Sequence, residues 1–90
     1  MEQVITDKYF IEGIRMAIKA RNPLELLVRL SELPGWDFNK KYVAGVMWQA
    51  HDAFHALYYY SQGVYLRFII KDNVDSITVT VHIREAGEGG

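Results

Sequence analysis

The chain has 90 residues, of which 50% are hydrophobic and 23% charged, and it contains no cysteine. This excludes a disulfide framework, thiolate metal sites and a cysteine nucleophile, and it argues against disorder in the bulk of the chain. The formal net charge is −1 and the pI is near 6.3, with acidic and basic residues interleaved, so nothing points to a basic protein that coats nucleic acid.

Met1-Glu2-Gln3-Val4-Ile5 does not read as a secretory signal, and no apolar run reaches the length of a bilayer span. An intracellular, cytoplasmic location is the expectation, with no membrane partner. Val4 and Ile5 are candidates for a short strand. A first helix is expected from Asp7 to Ala20, capped by Thr6 or Asp7. Phe10, Ile11, Ile14, Ala17 and Ile18 recur at helical steps and form its buried face. Gly13 costs stability inside a helix, which calls for close approach by another helix.

Asn22-Pro23-Leu24-Glu25 is the clearest local signal, with Asn22 as N-cap, Pro23 at the first helical position and Glu25 reaching back to the cap. The second helix then runs to about Leu33, with Leu24, Leu27, Val28, Leu30 and Leu33 as its apolar side and Arg29 and Glu32 outward. Pro34-Gly35 ends it, and Trp36 and Phe38 fold back over the core. Val43, Val46, Met47, Ala50, Phe54 and Leu57 fit helical spacing, so a long third helix is expected from Asn39 to Tyr59.

Val64–Ile70 and Ile77–Arg84 alternate with period two around the turn residues Lys71–Ser76. They read as a hairpin whose Val64, Leu66, Phe68, Ile70, Ile77, Val79, Val81 and Ile83 share one face. Tyr65, Arg67, Ile69, Thr78, Thr80, His82 and Arg84 face the other way. The expected fold is α+β, three helices followed by an antiparallel β-hairpin. It forms a single domain over residues 1–84, with a flexible tail over 85–90. A two-stranded hairpin leaves two open edges, which a second copy relieves by pairing across a two-fold axis.

Three constellations compete for function. On the expected third helix, Trp48, His51, His55 and Tyr59 form a semi-polar aromatic stripe of the kind enriched in contact hot spots. The alternative for these rings is burial within the domain. His51 and His55, four residues apart, can reach one metal ion from a single helix face, or they simply bond to neighbours. The order helix, helix, helix, hairpin matches a winged helix-turn-helix, in which Lys40, Lys41 and Tyr42 approach DNA. The acidic turn Asp72-Asn73-Val74-Asp75 counts against that reading, because a wing tip contacts phosphate. Arg67 and Arg84 share the outer hairpin face, where solvent or an acidic partner satisfies them. The leading expectation is a small non-enzymatic protein–protein interaction or regulatory module that self-associates as a homodimer. No cofactor is implied. A winged-helix DNA-binding regulator and a metal-binding protein using His51 and His55 are the alternatives.

Overall fold

The computed structural model describes residues 1–36, 45–50, 54–61 and 63–85. Its elements are β1 (Glu2–Ile5), α1 (Lys8–Ala20), α2 (Pro23–Ser31), β2 (Gly45–Ala50), β3 (His55–Ser61), β4 (Val64–Asp72) and β5 (Ile77–Glu85). The expectation of three helices and a terminal hairpin is thereby corrected. Two helices lie on a five-stranded sheet of order β1-β5-β4-β3-β2, and every neighbouring pair is antiparallel.

Both helices start where side-chain oxygens meet orphan backbone donors. The Phe10 N–H donates to Asp7 Oδ1 at 2.8 Å, and the Glu25 N–H donates to Asn22 Oδ1 at 3.2 Å. Glu25 returns to the cap through the Asn22 side-chain amide, at 3.4 Å, rather than through its backbone N–H. Helix α1 ends with Arg21 in the left-handed region (φ 54°), its N–H and that of Asn22 closing on Ile18 and Ala17 carbonyls. Ile11, Ile14 and Ala17 are buried, with Phe10 and Ile18 packed beside them. On α2 the buried residues are Leu26, Leu27 and Leu30, followed by Leu33. Leu24 and Val28, expected on the apolar side, are exposed. The neighbour of Gly13 is the Arg29 side chain of α2, whose guanidinium carbon lies 3.2 Å from where a Cβ would stand. Arg29 therefore covers a helix–helix seam instead of facing out.

After α2 the chain turns at Gly35, whose φ of 80° suits only glycine, and Trp36 enters the core. Its ring centroid lies 5.6 Å from that of Phe68, at the centre of the sheet. Phe38 lies outside the described residues. The inner sheet face carries Ile5, Leu57, Tyr59, Leu66, Phe68, Ile70, Ile77, Val79 and Val81, all buried beneath the helices. The β4–β5 register pairs Phe68 with Val81 and Ile70 with Val79, as the alternation of those strands implies. Ile83 sits on the same side but is 63% exposed, past the edge of the helical cover.

The segment read as a third helix is extended at 45–50 and 55–59. Its apolar residues fit two periods at once, and burial selects the shorter. Val46 and Trp48 face inward opposite Tyr59 and Leu57, while Met47 and Gln49 face out opposite Tyr58 and Ala56. Trp48 and the run Tyr58-Tyr59-Tyr60 are strand-favouring residue types. The hairpin's open edges are also corrected: β3 covers β4, and β1 covers β5. Among the described residues the edge strands of the sheet are β1 and β2. Glu85, read as the first residue of the tail, is the last of β5, and 86–90 lie outside the described residues.

One polar clamp fastens helices to sheet. Arg15 of α1 donates from Nε to both Asp72 carboxylate oxygens, at 3.0 and 3.2 Å. Its Nη2 donates to the carbonyls of Asn73 and Val74, at 2.7 and 3.1 Å. The acidic turn, read from sequence as a poor wing tip, is thus held by a cation of its own chain.

Candidate functional site

With the helices on one face, no described element packs on the other face of the sheet, and its composition is distinctive. Reading across β5, β4, β3 and β2, one outward row is Arg84, Tyr65, Tyr60 and Gly45. The next is His82, Arg67, Tyr58 and Met47, and a third is Thr80, Ile69, Ala56 and Gln49. Tyr60 and Tyr65, on neighbouring strands, stack with centroids 4.9 Å apart and planes 25° apart. Tyr58 Oη donates to Gln49 Oε1 at 3.4 Å, which fixes that ring over β2. Met47 is 59% exposed, Tyr60 41% and Tyr65 48%. These are large side chains to leave in water together, and Tyr, Met and Arg are the types enriched at protein interfaces.

The electrostatics of this face are one-sided. Arg67, Lys71 and Arg84 point outward, with His82 among them, and all four are exposed. Among the described strand residues that point outward, Glu2 is the one carboxylate. A chain of net charge −1 thus gathers cations on its open face. Among the described residues, Glu12, Glu25 and Glu32 lie along the helices and Asp72 and Asp75 around the turn. Arg67 and Arg84 stand on adjacent strands of this face, as the hairpin pattern implies.

The aromatic stripe expected from sequence sits on the opposite side. Trp48, His55 and Tyr59 share the inner face, because in strands they occupy alternate positions of β2 and β3. Trp48 stacks on His55 with centroids 5.3 Å apart and planes 12° apart. Tyr59 is 3% exposed and belongs to the core. The stripe is therefore largely a wall of the domain's own interior rather than a free helix flank. His51, Lys40, Lys41 and Tyr42 lie outside the described residues.

His55 opens β3 rather than lying on a helix, and His51 is outside the described residues. Burial pushes the His55 imidazole below its ordinary value, while the Asp72 carboxylate pulls weakly the other way. Its Nδ1, like Nε1 of Trp36, is buried with no hydrogen-bond partner among the described residues. Among those residues no group of three or more His, Cys, Asp or Glu side chains is placed to hold a metal ion. In the winged-helix reading, residues 45–50 and 55–59 of the expected recognition helix are strands, and the two strands of its wing are interior strands of the sheet. No helix among the described residues is long and apolar enough to cross a membrane.

A groove of about 580 Å³ runs between α1 and the β4–β5 turn, lined by Lys8, Glu12, Arg15, Met16, Lys19, Val74 and Asp75 among others. Its charges are of both signs, and Arg15 is already committed to the turn. The open sheet face is the more coherent site. Met47, Gln49, Tyr58 and Tyr60 are the members that the helical reading missed. The signal for them was the three consecutive tyrosines, which a helix would spread around its circumference and a strand sorts into one in, two out. Comparison with known protein families, with curated proteins and with solved structures found no match to this chain.

Proposed function

We propose that this chain is a small non-enzymatic protein–protein interaction module whose contact surface is the open face of its sheet. One observation carries the reading: among the described residues, the sheet face away from the helices presents exposed tyrosines and methionine among outward cations. Rigid aromatic rings supply contact area at low entropic cost, and arginines add charge-assisted hydrogen bonds. The partner that fits is an acidic protein segment lying across β3, β4 and β5, with carboxylates at Arg67 and Arg84 and apolar side chains over Tyr58, Tyr60 and Met47.

The test uses the full chain and a fluorescein-labelled oligo-glutamate peptide, with anisotropy as the readout. Saturable binding that weakens as salt rises is expected, and Arg67→Glu lowers affinity about tenfold or more, which corresponds to about 1.4 kcal/mol. Absence of binding at low salt, or equal binding by Arg67→Glu, defeats the proposal. A second titration with oligouridylate separates the partner classes. Tighter binding to the oligonucleotide than to the peptide would assign the tyrosines to base stacking and overturn the protein-partner reading.

A further inference from the structure

The two free edges of the sheet are unequal. Strand β1 is four residues long and carries Glu2, a short and charged edge of the kind that resists pairing. Strand β2 is six residues long, Gly-Val-Met-Trp-Gln-Ala, and contains neither a charge nor a proline. Among the described residues no strand pairs with its outer side. An edge strand presents a row of unpaired N–H and C=O groups, and β2 itself carries no charged residue or proline to keep another strand away.

We propose that β2 is the docking edge for a second copy of this chain, which adds its own β2 antiparallel across a two-fold axis and joins the two sheets into one. The pattern of side chains limits the register. Residues opposite one another in an antiparallel pair point to the same face, so both copies keep their helices on one side only when a residue on the axis meets itself. Near the middle of β2 that residue is Met47 or Trp48. Neither is charged, so the self-apposition that a two-fold axis imposes brings no like charges together. Stacking two copies through their open faces instead would set Arg67, Lys71 and Arg84 against the same cations of the second copy. Edge pairing keeps the cationic faces side by side and covers Met47, which is 59% exposed in one copy.

Sedimentation velocity of the full chain over a concentration series, paired with amide hydrogen exchange, tests this. A monomer–dimer equilibrium is expected, with exchange slowed at high concentration in Gly45–Ala50 and unchanged in Glu2–Ile5. Met47→Lys, at an outward position, places two ammonium groups on one face of the seam, opposite each other in the Met47 register and two residues apart in the Trp48 register, and returns the chain to monomer. Its melting temperature then stops rising with concentration. A chain that stays monomeric at the highest concentration overturns the proposal, as does a dimer whose added protection falls on β1 or on β4 and β5. Should Met47→Lys fail to fold, the exchange pattern of the unaltered chain decides alone. The peptide's carboxylates are assigned to Arg67 and Arg84 on β4 and β5, away from this edge, so the Arg67→Glu titration tells failure of that reading from failure of this one.

Discussion

The run Tyr58-Tyr59-Tyr60 contains its own controlled experiment, because three identical side chains occupy different environments on one strand. Tyr59 is 3% exposed beneath the helices and faces Val46 and Leu66, whereas Tyr60 is 41% exposed on the open face and stacks on Tyr65. Truncating a buried aromatic residue to alanine removes its transfer free energy and leaves a cavity, a loss of about 3–5 kcal/mol. Tyr60→Ala removes one exposed cross-strand pair, worth about 0.5–1 kcal/mol. The two variants therefore differ by at least about 2 kcal/mol, a large share of the ~5–15 kcal/mol available to a domain. In melting temperature, at about 4–8 °C per kcal/mol for a domain of this size, Tyr59→Ala falls by at least about 12 °C. Urea unfolding followed by Trp36 and Trp48 fluorescence and by circular dichroism measures both changes. If the two substitutions cost the same within about 1 kcal/mol, or if Tyr60→Ala costs more, the inward and outward assignment of β3 is wrong.

Three further outcomes follow from local contacts. Arg15→Ala unfastens the β4–β5 turn from α1, so the amides of 73–76 exchange faster and the melting temperature falls, with the difference shrinking as salt rises. Unaltered exchange in the turn would show that Arg15 is merely decorative. Asn22→Ala removes the oxygen that accepts the Glu25 N–H and costs about 1 kcal/mol in the urea midpoint; a change below a few tenths contradicts the cap. His55 is held below its ordinary pKa of 6.5 by burial, so on acidification the unfolded chain takes up this proton first. Its contribution to stability is complete above that ordinary value and is lost as pH falls through the lower, folded value. His55→Gln accordingly flattens the stability curve on the acid side of neutrality, and identical slopes for both proteins would refute the assignment.

Much of the helical half of the fold is legible in the residues themselves. Asp7 and the Asn22-Pro23 pair mark both helix starts because capping is a local event, decided by side chains within one turn. The β4–β5 pairing is legible for a similar reason, since its alternation is strict and its turn carries Asp72, Asn73 and Ser76. The β2–β3 hairpin was hidden because the link between Ala50 and His55, His51-Asp52-Ala53-Phe54, has neither glycine nor proline to interrupt a helical pattern. What separated the two periods was tertiary. Trp48 and Tyr59 satisfy a helix stripe or a sheet face equally well until a neighbouring strand exists to pair with them. The candidate site moved with that error. Trp48, His55 and Tyr59 line the inner wall instead of a helix flank, while Arg67 and Arg84 keep the outer face that the alternation of their two strands predicts.

The Met1 carbonyl accepts the Val81 N–H at 2.9 Å, and β1 as a whole lies along β5. The first element of the fold therefore waits for the last to be made before it can pair. Closing a loop of that span has a high entropic cost, so pairing of β3, β4 and β5 before β1 is the expected order of assembly. Until then the far flank of β5 is bare, and a nascent or heat-stressed molecule exposes a template that the finished protein conceals. Extensions fused ahead of Met1 would act on that final step, altering the rate of maturation more than the architecture reached.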